Sequence, residues 1–395
     1  LVYQTLDDKQ ECVGVYVDGK LHFDNIPDNL TRTWRYSGPN HSDTVEYAWI
    51  YAGGKTLSEA CPEHLRESWE RVHRKMHAYK KSFDIAKIDL RNHCFFDLVP
   101  HDSLLEFCEV KNQITEYVFE NYEKPENYDY LIKANQLLYK IKYQNLALSN
   151  SDCRNLFVNS SLRTGSQKIL KGPQHIDYNL FGTITGRLST KPASFPILTM
   201  KKELRALIKP RNDWFLSLDY NGAEARTVLS LSEQPQPAYD IHEWNIHNVF
   251  ENSELPREEA KTLFFAWLYN PDSDALDTNY YNRKKVLDKY YDGDYITTIF
   301  GRCIKATDWK ALNYLVQSTT ADLVIERAIA IDKLLEGKKS FISHIVHDEV
   351  VIDFADEDRD LAKEIKETFS ENKLGKFKVN LKAGKNYYDL ENLIL

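Results

Sequence analysis

The chain has 395 residues, 42% hydrophobic and 28% charged, with a formal net charge of −8 at pH 7. That length exceeds what a single core usually organises, so two or three subdomains are expected. No apolar run approaches the roughly 18 residues of a membrane span and no signal peptide is evident, so the expectation is a soluble, cytoplasmic chain that meets no membrane.

Glu11 to Phe23 alternates apolar and polar residues around Asp18-Gly19 and predicts a β-hairpin, with Asp18 and Asp24 as turn residues. Helical periodicity and dense charge follow over residues 62–83, then over 104–122 and 128–148. Glu123 to Asn127, with Pro125 inside it, reads as a loop between helices.

In the stretch 214–231, Phe215, Leu216 and Leu218 predict a buried strand, and the composition turns helical from Ala223. Asp219 therefore falls at a strand-to-helix junction. Pro256 opens a helix in which Arg257, Lys261, Phe265 and Tyr269 recur every four residues, so one face carries two cations followed by two aromatics. Cations of that kind suit triphosphate oxygens, and the aromatics suit a base or sugar. Phe341 to Phe354 reads as two strands joined at the polar turn His347-Asp348-Glu349. Taken singly, Asp219 is an ordinary helix cap, Asp348 an ordinary turn residue and the 257–269 face an ordinary amphipathic one. Two strand-borne carboxylates brought together repel unless a cation lies between them, and hard oxygen ligands suit Mg²⁺. That pairing is what two-metal phosphoryl transfer requires.

The acidic total conceals an uneven distribution. From Lys133 to Arg211 there are 14 Lys plus Arg against Asp152, Asp177 and Glu203, a net of +11 that leaves −19 on the rest. A basic segment of this kind suits phosphate binding with strong salt dependence, beside the plainer reading of a solvated basic face. The six cysteines lie far apart without a Cys-x-x-Cys, which argues against zinc and fits buried thiols in a reducing compartment.

These stretches resemble the motifs of family A DNA polymerases, the group that includes bacterial DNA polymerase I and many bacteriophage replicases. Asp219 to Arg226 resembles the first motif, Arg257 to Tyr269 matches the second in spacing, and His347-Asp348-Glu349 is the third. Thr185-Gly186-Arg187-Leu188-Ser189, Asp240-Ile241-His242 and Gln317 to Asp322 add three more matches in the same order, so the resemblance covers about residues 175–395. Three departures stand out: Lys191 to Met200 lacks the usual Pro-Asn-Leu-Gln-Asn-Ile-Pro, Asn270 stands where the family has Gly, and Tyr387 where it has Trp.

The resemblance implies an α+β right-hand polymerase fold with an antiparallel-sheet palm, helical fingers and a helical thumb. The expected division is an N-terminal β-hairpin segment over 1–60, thumb 61–159, palm 160–235, fingers 236–304 and palm again 305–395. It implies Asp219, Asp348 and the Tyr220 carbonyl as ligands of two Mg²⁺ ions, for which Mn²⁺ can substitute, with Glu349 near the primer 3′ hydroxyl and Lys261 as the acid for pyrophosphate. His242 and Arg257 would add positive charge to the triphosphate site, Phe265 would lie near the sugar, Tyr269 near the templating base, and Glu224 would act as the gate that excludes a ribose hydroxyl. Arg187, Asn313 and Gln317 would read the minor groove, His347 would support the primer, and Lys133, Lys140 and Lys142 would reach phosphates. The implied function is primer-dependent DNA synthesis from dNTPs on a DNA template. Residues 1–60 hold no Asp-x-Glu of the kind a proofreading domain begins with, so an exonuclease or processivity factor is expected on a separate chain. Two rivals stay open: a single-subunit RNA polymerase, against which Glu224 and Glu349 speak, and a catalytically silent DNA-binding scaffold, against which Asp219, Asp348 and Lys261 speak.

Overall fold

The computed structural model describes residues 1–6, 14–35, 44–90, 93–151, 153, 156, 158–273, 276 and 278–395. Two units follow one another along the chain, Leu1–Gln136 and Leu137–Leu395. In the first, β1 (Tyr3–Thr5), β2 (Val15–Val17) and β3 (Lys20–His22) form an antiparallel sheet in that order. Asp18 and Gly19 both take positive φ, 45° and 76°, as a two-residue hairpin turn requires, so the expected hairpin is present; its residues 11–13 lie outside those described. Gln4 on β1 is buried and donates to Asn112 and Thr115 of α2 (His101–Asn121), against which α1 (Arg66–Ile85) also packs. The first strands and the helices thus share one unit. Trp69, Val72 and Met76, spaced three and four apart, bury one face of α1.

The helix α3 (Tyr128–Lys142) stops short of the predicted residue 148. Ala147 and Leu148 instead pair antiparallel with Lys209 and Ile208, and a residue in a strand ladder cannot also continue a helix.

In the second unit α4 (Ser160–Lys171) comes before the central strand β4 (Trp214–Tyr220), which is followed by α5 (Ala223–Leu231), α6 (Ile241–Asn248), α7 (Arg257–Tyr269) and α8 (Arg283–Tyr290). After α9 (Asp308–Leu334) come β5 (Phe341–Val346), β6 (Glu349–Phe354), α10 (Ala362–Ser370), β7 (Val379–Gly384) and β8 (Glu391–Asn392). The five strands form one antiparallel sheet in the order β5-β6-β4-β7-β8. Alternation along β4 puts Leu216, Leu218 and Tyr220 on one face and Phe215, Ser217 and Asp219 on the other. Tyr220 stacks on Phe369 of α10 at 4.2 Å and donates to its carbonyl at 2.6 Å. Val228 and Leu229 of α5, Phe264 and Trp267 of α7, and Leu315 and Val316 of α9 belong to one buried cluster, which packs α7 against α5 and α9.

Candidate active site

The β4–α5 junction is Asn221-Gly222. Gly222 has φ +69°, and a Cβ there would come within 2.4 Å of Ile241 Cγ2, so the turn demands glycine twice over. The turn leaves Asp219 at the end of β4, paired in register with Glu349 on one side and Asn380 on the other. Asp348 sits in the tight β5–β6 turn behind His347, whose φ is +57°. The predicted strand-to-helix junction and hairpin are both present, although Glu349 is the first residue of β6 and not part of the turn.

Burial, and then the Asp348 charge, push the Asp219 carboxyl up to about 7, and burial raises Asp348 as well. A desolvated carboxylate raised further by its neighbour's charge is one that a cation placed between the two would relieve. Among the described residues no group of three or more His, Cys, Asp or Glu side chains is gathered closely enough to hold a metal ion. The donors present are two carboxylates and the Tyr220 backbone, whose ring is turned away onto Phe369. This all-oxygen set fits a hard divalent cation that completes its shell with water or substrate oxygens. Asn380 Nδ2 donates to Asp219 Oδ2 at 3.3 Å.

One cavity of about 520 Å³ is lined by Asp219, Tyr220, Asp348, Glu224, His242, Arg257, Lys261, Phe265, Tyr269, Arg187 and His347, so eleven of the expected residues meet in one place. Helix α7 delivers its four as the spacing predicts, with Phe265 and Tyr269 stacked at 6.0 Å and 15°. Arg257 donates to Asp240 Oδ2 at 2.9 Å and to Glu258 at 2.7 Å. Asp240 caps α6, and hydrogen bonds from Arg257 and Asn221 outweigh its burial and hold its carboxyl far below the usual range. At the aromatic end, Glu224 is buried, pairs with Arg187 and accepts from the Tyr269 hydroxyl at 3.3 Å. Gln317 Nε2 donates to the same hydroxyl at 3.4 Å. Burial raises the Glu224 carboxyl, with Arg187 opposing.

Several expectations need correction. His242 is 2% exposed and burial pushes it down to about 4, so near neutral pH it is an uncharged ring and adds no cation. Asn313 lies off the cavity with a buried Oδ1 that has no partner among the described residues. Glu349 and Gln317 do not line the cavity themselves but adjoin it, Glu349 as the strand neighbour of Asp219 and Gln317 through its bond to the Tyr269 hydroxyl. Lys140 pairs with Asp332 at 2.6 Å, and Lys142 with Asp177 at 3.4 Å, so both lysines are already partly neutralised; Lys133 is exposed. Asp353 and Asp358, which stand in an acid-rich run, are buried and accept backbone N–H groups of Arg211, Asn212 and Ser340. Asn270 ends α7 at φ −113°, a backbone that makes no demand for glycine, and Arg283 supports that end by donating to the Trp267 and Asn270 carbonyls.

Other supporting residues were not singled out in the sequence. Arg226 is fully buried and ties α5 to the segment before α6 through the carbonyls of Asn221, Pro237 and Tyr239. Arg302 and Asp322 form a two-bond ion pair at 2.9 and 2.6 Å. Arg226, Asp240 and Asp322 all stand inside recognisable motifs, which was the available signal; nothing local marks Arg302 or Asn380.

No protein-family model matches the chain. Over 251 residues it is 25% identical to a thermostable DNA polymerase I of Thermus aquaticus, a stretch that is 50% of this chain and 30% of that protein. Over 280 residues it is 22% identical to the DNA polymerase I of Chloroflexus aurantiacus, and over 274 residues 26% identical to that of Caldicellulosiruptor bescii. The matched stretch spans about a third or less of the length of these relatives, 30% and 32% for the latter two. Among solved structures, the polymerase domain of Pol1 from M. smegmatis, in complex with DNA primer-template and dNTP, superposes with a TM-score of 0.61 at 13% identity, covering 86% of this chain and 81% of that one. The chain therefore has the fold of a DNA polymerase I polymerase domain, and in sequence it resembles the family A DNA polymerases.

Proposed function

We propose that the chain carries out template-directed, primer-dependent DNA synthesis from dNTPs. The observation that carries this reading is the single cavity in which Asp219 and Asp348 share a wall-to-wall space with the Arg257, Lys261, Phe265 and Tyr269 face. Asp219, Asp348 and the Tyr220 carbonyl would hold the divalent ions, Mg²⁺ with Mn²⁺ as substitute, which when bound supply acidification of the primer hydroxyl and charge neutralisation on the triphosphate.

The remaining chemistry belongs to the chain's own groups. The primer 3′ hydroxyl gives its proton to water and its oxygen bonds to the α-phosphorus as the bond to pyrophosphate breaks, while Lys261 donates the proton the leaving group needs. Arg257, steadied by Asp240, and Lys261 are preplaced cations that need no reorganisation as charge builds on the transferred group. Neutral His242 contributes a hydrogen bond. Phe265 packs on the sugar, and Tyr269 holds the place of the templating base until a nucleotide arrives. Glu224 fills the space beneath the sugar C2′, and Arg187 leaves it for the primer-end minor groove when DNA binds, with Gln317 beside it.

In this reading residues 160–235 and 305–395 are palm, 236–304 fingers, and 61–159 contribute the thumb. The role fits a replication or repair polymerase, of the small bacteriophage kind.

Extension of a labelled DNA primer on a DNA template with Mg²⁺ tests the reading. Deoxynucleotide addition that follows the template and disappears in Asp348→Ala is expected. Synthesis from ribonucleotides instead, or tight DNA binding with no extension, overturns it.

A further inference from the structure

Glu349 has both carboxylate oxygens engaged by hydroxyls of the sheet. Ser217 Oγ donates to Oε1 at 2.6 Å and the Tyr387 hydroxyl donates to Oε2 at 2.7 Å. Both separations are those of well-formed O–H···O hydrogen bonds.

Each donor is rigid for its own reason. Ser217 is two residues before Asp219 on β4, on the same face, and is 1% exposed. Tyr387 is 2% exposed; the Arg205 guanidinium lies 4.7 Å over its ring, and His344 and Phe215 present edges at 4.6 and 6.4 Å. Its backbone N–H is spent on the Ile208 carbonyl at 3.1 Å. The ring alone would fill this pocket equally well as Phe, so the hydroxyl answers to Glu349 and not to packing. In register, Glu349 is the cross-strand neighbour of Asp219, and it follows Asp348 directly.

We propose that Tyr387 and Ser217 are positioning residues that clamp the Glu349 carboxylate beside Asp219 and Asp348, giving the third acid of the site one fixed orientation. The clamp rests on the polymerase reading above. It makes Tyr387, which stands where the family has Trp, part of the reaction's support.

The test is single-nucleotide insertion by the native chain, Tyr387→Phe, Ser217→Ala, Glu349→Gln and the Tyr387→Phe/Glu349→Gln double variant, with melting temperature and primer-template affinity read alongside. Tyr387→Phe is expected to lower kcat about tenfold, with KM for dNTP and DNA affinity unchanged and melting lowered by no more than one lost hydrogen bond explains, because it frees the orientation of a carboxylate beside Asp219 and Asp348. On the Glu349→Gln background it should cost nothing further. Ser217→Ala, which deletes one hydroxyl inside a strand, should behave in the same way and decides the matter if Tyr387→Phe does not fold. Equal losses on both backgrounds, an untouched kcat, or a loss that follows melting overturns the clamp while leaving the polymerase reading standing. A native chain that extends no primer removes both.

Discussion

At the scale of the residue, Glu224 is the most exposed to error, because it does two things at once. In the proposed reading it would fill the space of a ribose hydroxyl, and it holds Arg187 and the Tyr269 hydroxyl. Glu224→Ala should raise ribonucleotide insertion relative to deoxynucleotide insertion about tenfold or more, read as the ratio of kcat/KM values. Glu224→Gln, which keeps the bulk, should retain most of the discrimination. Unchanged sugar preference in both variants would withdraw the gate. A second prediction concerns pH. His344 is buried, and burial pushes its imidazole down to about 3. The unfolded chain takes up that proton near the ordinary histidine value of about 6.5, the folded chain only far below it, so the unfolded state binds more protons in between and stability falls as pH drops through that window. His344→Phe should flatten the acid side of a stability-pH curve measured by urea unfolding, by up to about 1.4 kcal/mol per pH unit. An unaltered slope would mean that the ring is not held neutral.

At the scale of the element, the β4–α5 turn is where backbone geometry and site geometry coincide. Gly222→Ala places a methyl against Ile241, in a left-handed backbone, and Ile241 begins the helix that carries His242. The expected cost is about 2 kcal/mol or more in urea unfolding, with KM for dNTP rising more than kcat falls, since α6 is pushed and the carboxylates are not. A variant with native stability would show that the turn relaxes freely. The elements that could be read from sequence share a cause: β4, β5, β6, α1 and α7 have periodic apolar faces that report their own burial. Those that could not be read depend on distant partners. α3 ends early because Leu148 pairs with Ile208, and Asp353 looks solvated in a run of acids until the N–H groups of Arg211 and Asn212 are seen bonded to it. The same holds within the site. Asp219, Asp348 and the α7 face are local patterns, whereas the Tyr387–Glu349 bond spans 38 residues and the Arg302–Asp322 pair joins a loop to the middle of a helix.

At the scale of the whole molecule, an acidic chain proposed to bind DNA would need unpaired cations to meet the polyanion. The sequence reading located the positive charge in residues 133–211 but could not say which cations are free, because pairing is a tertiary property. Lys140 and Lys142 are paired with Asp332 and Asp177, and Lys191 shares Asp177. A lysine already paired with a carboxylate releases fewer condensed counterions on meeting a phosphate, since it must first give up its partner. By contrast Arg163, Lys168 and Lys171 stand exposed on α4, a helix with no acidic residue of its own. Neutralising one of these three to Gln should therefore lower the slope of log affinity against log salt for primer-template DNA by about 0.9, the value for one duplex phosphate contact, whereas Lys140→Gln or Lys142→Gln should lower it by clearly less. The measurement is fluorescence anisotropy over a salt series for each single variant. If Lys140→Gln and Lys142→Gln give the larger change, the ion pairs open on binding and α3 is the phosphate-facing helix; if none of the five changes the slope, the duplex lies elsewhere and the basic segment is a solvated face.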